Sequence, residues 1–360
     1  MTNSVNHYKP DKAICPGETL KETLEAIGMP QTELATRCGR PNKTINEIIQ
    51  GKAQIMPDTA LQFERVLGIP AKFWLNLEAN YQETQSRIKE NERLKTEATG
   101  LSKFPYNEMA EYGWVKLVQD KIDKVRELLS FLAINSFEQL KTIDDAVFSK
   151  ASIKNYSPYA MSAWLRQGEI EAKNIETKPF NKKKAKEIID GIKTLSRTMP
   201  KGFYTELKSK CAEAGIAVVA VPHLKHTAVQ GAVRWLAPDK PLLQMSLRYK
   251  WNDVFWFHFF HEYGHILLHK KRDTFIDIDK QDKDALENEA DEFAAVTLFP
   301  TKKYEEFKAK HDYSRESIYK FAEQMNVCPA QVVGRLQREG ELKYTEYSDM
   351  KIKFEFAKQG

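Results

Sequence analysis

The sequence predicts a mainly α-helical protein with one small antiparallel sheet, an α+β fold divided among several domains. Helical apolar spacing fills residues 17–93, β-rich runs are confined to residues 215–249, and an apolar helix rich in histidine follows directly. A chain of 360 residues is long enough for about two or three domains, each with its own core. We expect domain boundaries that give residues 1–83, 84–200 and 201–360.

Composition and charge exclude several classes of protein. Hydrophobic residues make up 42% and charged residues 29% of the chain, and no apolar run approaches the roughly 18 residues of a membrane span. The polar first ten residues lack the apolar segment of a secretion signal, so we expect a cytoplasmic location without membrane contact. The four cysteines form no C-x-x-C pair and predict reduced thiols: Cys15, Cys38, Cys211 and Cys328. A net charge of +5 permits an anionic partner without requiring one.

Short helices separated by turn signals make up the N-terminal region. Leu20, Leu24 and Ile27 have helical spacing and are followed by Gly28, which predicts the first helix and its end. Further helices are predicted in "MPQTELATRCGR", in "PNKTINEIIQGK", from near Asp58, and in "AKFWLNLEANYQE". The second and third helices flank a short turn at Gly39, which is the spacing of a helix-turn-helix motif.

In such a motif the second helix enters the major groove of DNA, so its outward polar side chains are candidate DNA contacts. The predicted base contacts are Asn42, Lys43, Asn46 and Glu47, and the predicted phosphate contacts are Gln31, Arg40, Thr44 and Lys52. The domain is nearly charge-balanced, so we expect a homodimer on double-stranded operator DNA rather than tight binding by a monomer. A helical bundle without DNA contacts is the alternative.

Residues 84–200 keep a helical pattern without a legible motif. Amphipathic segments are predicted in "DKIDKVRELLSFLAI", "SPYAMSAWLRQGEIEA" and "KPFNKKKAKEIIDGIKTL", the last opening with a lysine cluster, and residues 98–107 are the best linker candidate. The β-rich runs "GIAVVAV", "AVQGAVRWL" and "LLQMSL" then predict the antiparallel sheet.

The segment "HFFHEYGHILLH" (258–269) carries the H-E-x-x-H motif at His261, Glu262 and His265. Two histidines four residues apart on a helix can reach one ion, while the intervening glutamate faces the water that the ion binds. Four histidines and Glu262 fall within about 100° of the helical wheel, and the rest of the helix is apolar. This pattern favours a buried helix with one metal-binding stripe over a core helix with hydrogen-bonded histidines.

A tetrahedral site needs a third protein ligand. In the downstream helix "ENEADEFAAVTLFP", Glu289 shares a wheel face with Leu286, Phe293 and Val296, so we predict Glu289 as that ligand and His269 as the fallback. Zinc held by these residues would activate water, with Glu262 as the general base. The preceding sheet could bind an extended peptide at its edge. His258, His269, Arg248 and Tyr263 remain equal candidates for stabilising the oxyanion.

"FWFHFFHEYGHILLH" followed by "NEADEFAAVTLFP" resembles the ImmA/IrrE family of metallopeptidases, whose members pair H-E-x-x-H with a downstream E-A-N-x-F-A helix. The resemblance covers roughly residues 200–340, and Asp291 stands where the family usually has Asn. It implies a zincin-like domain, zinc or manganese as cofactor, and cleavage of a regulatory protein such as a repressor. A C-terminal segment, "SIYKFAEQMNVCPAQVVGRLQ", also scans as helix-turn-helix, but we assign it to the peptidase core.

Residues 16–83 resemble the HigA-type antitoxin branch of the XRE helix-turn-helix family, including the end "FWLNLEANY", with Glu78 where the family usually has Gln. This resemblance implies operator binding as a dimer on an inverted repeat. The sequence therefore predicts a transcriptional regulator with a zinc endopeptidase domain that cleaves a partner repressor, a toxin-antitoxin partner or itself. The alternative is an antitoxin-like repressor whose metallopeptidase fold senses or docks without turnover; an intact Glu262 favours the enzyme.

Overall fold

The computed structural model describes residues 13–144, 147, 156–269 and 285–356, together with the backbone of residues 275–278. It divides into two compact units that meet in sequence between Thr99 and Gly100. No helix within these ranges is long and apolar enough to cross a lipid bilayer. The four cysteines are free thiols, as predicted.

The first unit is entirely helical, as predicted. Gly28, Gly39 and Gly68 end three of its helices in the left-handed conformation, which glycine adopts without steric cost. The helices are α1 (Pro16–Ile27), α2 (Gln31–Cys38), α3 (Asn42–Ile49), α4 (Pro57–Leu67) and α5 (Ala71–Glu97). The predicted domain boundary after residue 83 falls inside α5, which continues to Glu97.

The core of the first unit is built from one apolar stripe of each helix. Leu20, Leu34, Ile45, Phe63 and Trp74 are fully buried, and the rings of Phe63 and Trp74 meet edge to face at 5.5 Å. These side chains fix α2 and α3 as a helix-turn-helix pair on a rigid support.

The second unit begins with helices from the region that we expected to form a separate middle domain. They are α6 (Tyr106–Glu111), α7 (Lys121–Leu132), α8 (Leu140–Ile143), α9 (Pro158–Lys173), α10 (Lys182–Glu187), α11 (Ile189–Thr198) and α12 (Phe203–Glu213). Helix α9 packs on the sheet, where Gln244 Nε2 donates to the carbonyl of Trp164 at 2.7 Å. The Arg234 guanidinium also forms ion pairs with Asp144 and Glu169, tying these helices to the sheet.

The sheet is mixed, whereas the sequence predicted an antiparallel one. Its strands are β1 (Ala217–Ala220), β2 (Val229–Ala237), β3 (Lys240–Met245) and β4 (Phe275–Ile278), in the order β1-β3-β2-β4. Strand β2 is antiparallel to β3 and β4, whereas β1 pairs with β3 in parallel. The chain reverses direction once between β1 and β2 and again between β2 and β3, so β1 and β3 run in the same direction. Because β3 rather than β2 is the neighbour of β1, this pair is parallel.

The remaining helices are α13 (Asn252–Leu268), α14 (Ala285–Leu298), α15 (Thr301–Lys308), α16 (Arg315–Met325) and α17 (Pro329–Arg338). Helix α13 is the centre of the core, where Trp256, Phe259, Phe260 and Tyr263 are fully buried. The inward face of α17 belongs to the same core. The C-terminal helix-turn-helix pattern is therefore part of this domain core, as we expected.

Candidate metal centre and nucleic-acid interface

Helix α13 brings His261 and His265 together on its buried face, with their Nε2 atoms 3.0 Å apart. Oε2 of Glu287, on α14, lies 3.2 Å from Nε2 of His261 and 3.8 Å from Nε2 of His265. Bonds of about 2.0–2.1 Å to a tetrahedral zinc ion place ligand atoms about 3.3 Å apart, so this set fits such an ion. In the described part of the chain, these residues form the one His, Cys, Asp and Glu group suited to a metal.

Glu287, rather than the predicted Glu289, faces the histidine pair. Glu289 is 58% exposed, and the described residue that its carboxylate contacts is His269, with Oε2 3.3 Å from Nε2. At 100° per residue, Glu289 points about 200° away from Glu287 on α14. Asp291 lies about 40° from Glu287 and therefore faces α13 as well, where its Oδ1 contacts His261.

The buried face of α14 was predicted wrongly because the prediction assumed that the large apolar residues of this helix point into the core. Leu286 and Val296 are 38% and 42% exposed, whereas Ala290 and Ala294 are fully buried. Small side chains let α14 approach α13 closely. At Gly264 an added Cβ would lie 3.0 Å from the ring of Phe293.

Each histidine of the pair is oriented by a hydrogen bond from its second nitrogen. Nδ1 of His261 lies 2.9 Å from Oδ1 of Asp291, and Nδ1 of His265 lies 2.8 Å from Nδ1 of His269. Metal ligation through Nε2 requires the ring proton on Nδ1, and in that tautomer His261 would donate to Asp291 and His265 to His269. In that tautomer both Nε2 lone pairs would be available to an ion, whereas a proton on Nε2 would instead be donated to Glu287. Such partners fix the tautomer of a metal ligand and raise its basicity.

Burial and hydrogen bonding favour the ligand forms of two of these groups, His265 and Glu287. Burial lowers the pKa of His265, although its hydrogen bond with Glu287 opposes this shift. Burial alone would raise the pKa of Glu287, but hydrogen bonds with His261 and His265 outweigh it and hold the pKa well below its usual range. A neutral imidazole and an ionised carboxylate are the ligand forms of these residues.

Glu262 is completely buried and packs against the sheet at Gly231 of β2. A Cβ added to Gly231 would lie 2.6 Å from both Cγ and Oε1 of Glu262. A glycine inside a strand often marks such a close approach. Gly231 is not among the predicted site residues, although an isolated glycine within the strand pattern "AVQGAVRWL" is a signal of such an approach.

The four oxyanion candidates from the sequence occupy different places. Tyr263 is buried and donates to the carbonyl of Ala185, and His269 lies behind His265. Arg248 lies over the ring of Tyr249, with 5.1 Å from its guanidinium carbon to the ring centre. His258 lines a cleft of about 1170 Å³ that also reaches Asp291. Of the four candidates, His258 is the one that lines this cleft.

In the first unit, α3 presents its predicted contact residues outward. Asn42, Lys43 and Asn46 are exposed, and Lys43 reaches Glu47 on the same helix at 3.8 Å between Nζ and Oε1. Gln31 and Thr44 are half-buried beside this surface, and Lys52 is exposed just beyond α3.

Arg40 differs from the other predicted phosphate contacts because its guanidinium is already engaged. It forms an ion pair with Asp58 and donates through Nε to Oε1 of Gln62 at 2.8 Å. The hydrogen bond with Arg40 also lowers the pKa of the Asp58 carboxyl. Arg40 therefore ties the turn between α2 and α3 to α4.

Family models match both units. Residues 20–74 match the helix-turn-helix model, and residues 253–337 match the IrrE N-terminal-like domain of the peptidase M78 family. The fold and the site thus define a helix-turn-helix regulator domain joined to a domain of a metallopeptidase family. The chain belongs to the helix-turn-helix family through its first unit and carries an IrrE N-terminal-like domain in its second.

Named relatives match about a fifth of this chain, and the match spans about two thirds of their own length. Virulence-associated protein I of Dichelobacter nodosus is 39% identical over 70 residues, which are 19% of this chain and 65% of that protein. Virulence-associated protein A of the same organism is 35% identical over 68 residues, 18% of this chain and 67% of that protein. The uncharacterized HTH-type transcriptional regulator YddM of Escherichia coli is 29% identical over 63 residues, 18% of this chain and 67% of that protein.

Two solved structures also align with about a quarter of the chain. An addiction module antidote protein of the HigA family from Coxiella burnetii has 29% identity and a TM-score of 0.22, covering 24% of this chain and 94% of that one. The Pseudomonas aeruginosa antitoxin HigA with the higBA promoter has 26% identity and a TM-score of 0.23, with the same two coverages.

Proposed function

We propose that this protein is a DNA-binding transcriptional regulator whose second unit is a zinc-dependent endopeptidase. The observation that carries the proposal is the convergence of His261, His265 and Glu287 beside a buried Glu262. The three converging residues would hold the ion. Zinc, or manganese in its place, would polarise the scissile carbonyl and lower the pKa of its bound water towards about 7.

The chain's own residues supply the proton transfers and the orientation. The carboxylate of Glu262 accepts the proton of the attacking water and delivers it to the leaving amine. Asp291 and His269 hold the two imidazoles in the tautomers that expose Nε2. His258, in the cleft wall, is the candidate for contacting the oxyanion.

An extended polypeptide fits the surroundings of this centre. Strand β4 is the sheet edge on the side of β2, and Asp277 of β4 pairs with Gly231, the residue against which Glu262 packs. An edge strand binds an extended peptide through main-chain hydrogen bonds. The substrate we propose is a regulatory protein, namely a partner repressor, a toxin-antitoxin partner or this chain itself, whose cleavage relieves repression.

The first unit would hold the protein on operator DNA as a homodimer in the cytoplasm. Its support is the exposed polar surface of α3, with Asn42, Lys43 and Asn46 available to base edges. The second candidate function keeps this DNA binding but has no turnover: an antitoxin-like repressor whose metal centre senses or docks a partner. Metal binding alone would not need Glu262, so this residue separates the two functions.

The test of the enzyme compares wild-type protein with Glu262→Gln for bound metal and for cleavage of candidate repressors and of itself. We expect both to retain metal and only the wild type to cleave. Glu287→Gln should lose the metal, and Glu289→Gln, which changes a neighbouring exposed glutamate, should keep most of it. If wild type and Glu262→Gln cleave equally, or if neither cleaves under any condition, the enzyme function is refuted. The non-proteolytic sensor function then remains.

The test of DNA binding combines Lys43→Ala with Asn46→Ala and measures binding to the duplex upstream of the gene. We expect the preference for this duplex over random DNA to fall by at least about tenfold, since each base contact contributes about 1–3 kcal/mol. The matched control is Lys21→Ala with Asn80→Ala, two exposed side chains of the same types outside α3. An unchanged preference would show that α3 is not the recognition helix.

A further inference from the structure

The positive charge of this chain is concentrated in one short stretch. Residues 178–210 contain ten Lys or Arg and three Asp or Glu, a net charge of +7, whereas the whole chain has +5. Residues 1–99, which include the helix-turn-helix, contain 13 of each sign and have no net charge. The unit with the recognition helix therefore has no overall attraction for a polyanion.

Helices α10 and α11 turn these charges towards solvent. Ala185 is the buried residue of α10, and Lys182, Lys186 and Lys183 lie at about 60°, 100° and 160° from it on the helical wheel. On α11, Ile192 and Leu195 point inward, Arg197 is exposed, and Lys193 is half-buried at the edge of this surface. We call the surface formed by these five basic residues the lysine face: Lys182, Lys183, Lys186, Lys193 and Arg197.

Within the described residues, the lysine face forms no ion pair. No carboxylate of this part of the chain lies within 4.0 Å of the ammonium or guanidinium nitrogens of the face, whereas basic residues of α5 such as Arg87 and Lys95 pair with glutamates on their own helix. Burial lowers the pKa of Lys193, Asp190 opposes this shift, and the nearby Lys303 adds to it. A basic surface without ion pairs costs free energy that a bound polyanion would recover.

We propose that the lysine face binds the phosphate backbone of DNA and supplies most of the electrostatic attraction that the helix-turn-helix unit lacks. Neutralising phosphates with Lys and Arg releases condensed counterions, and this release dominates non-specific DNA affinity. Lysine suits this role because its ammonium acts as a point charge without sequence preference. The inference rests on the proposed DNA binding: α3 would select the sequence, and the lysine face would add affinity for any duplex.

The test measures how the affinity of the full chain for a short random-sequence duplex depends on salt. The variant combines Lys182→Gln, Lys183→Gln and Lys186→Gln, which are exposed and leave Ala185 in the core. The slope of log K against log salt is negative, and each lost phosphate contact reduces its magnitude by about 0.9, so we expect the magnitude to fall by about 2 to 3. The preference for the upstream duplex over random DNA should stay unchanged.

Two controls separate this effect from a general loss of charge. A triple Lys→Arg variant at the same positions should keep the wild-type slope. Lys116→Gln, Lys121→Gln and Lys141→Gln remove three charges from exposed sites elsewhere in the second unit and should change the slope little. An equal slope for the lysine-face variant and this second control would overturn the inference while leaving recognition by α3 intact. If the full chain binds no duplex, DNA binding itself is refuted together with it.

Discussion

Gly231→Ala should displace the carboxylate of Glu262 and destabilise the second unit. The added Cβ would lie 2.6 Å from Cγ of Glu262, about 1 Å closer than carbon atoms pack at their optimum. Glu262 is completely buried, so its side chain cannot swing into solvent. Overpacking of this kind costs about 1–3 kcal/mol, and each kcal/mol lowers the melting temperature of a domain this large by about 2–4 °C.

A double-mutant cycle tests this reasoning by thermal or urea unfolding. Glu262→Ala removes Cγ, Cδ and Oε1, the three atoms that the new Cβ would strike, so Gly231→Ala should cost little in that background. Gly191→Ala is the control, because the nearest atom to its added Cβ, Nζ of Lys210, is 3.9 Å away, and alanine is the better helix former. If Gly231→Ala is as destabilising in the Glu262→Ala background as in the wild type, the steric argument is wrong.

The surroundings of the site lead to three further predictions. Asp291→Ala should weaken metal affinity by about 10–100-fold in a chelator competition, since it removes the acceptor of His261 Nδ1; an unchanged affinity would contradict the orienting role. With metal present at about 100 times its Kd, its removal by a chelator should lower the unfolding free energy of the wild type by about 2.7 kcal/mol. The unfolding free energy of His265→Ala should not change on chelation. Arg234→Met should destabilise the second unit by about 3–5 kcal/mol in urea, because two partly buried carboxylates lose their cation; a loss below about 1 kcal/mol would refute this.

The helix-turn-helix could be predicted from the sequence because local chemistry specifies it. Gly28 and Gly39 supply the left-handed helix ends, and apolar spacing selects the buried faces. The H-E-x-x-H residues were predictable for the same reason, since one helical turn determines which side chains share a face. Neither inference needed knowledge of a distant segment.

The third ligand and the strand pairing depended on distant contacts. Glu287 and Glu289 have the same local chemistry, and only the close approach of Ala290 and Ala294 to α13 decides which one faces the histidines. The sequence pattern emphasised large apolar residues, whereas helix contacts this close require small ones. The parallel pairing of β1 with β3 likewise depends on where the β2–β3 hairpin inserts, which strand patterns do not encode.

The burial of Glu262 bears directly on whether the centre is catalytic. Taking a carboxylate out of water costs free energy unless the protein compensates for it. The three converging residues suffice as protein ligands, so metal binding gives no reason for this cost, and Gly231 gives up a side chain in the sheet to make the space. A general base beside the ion does give a reason. We therefore expect Glu262→Gln to be at least as stable as wild type while it loses cleavage, an exchange of stability for activity that a purely structural carboxylate would not produce.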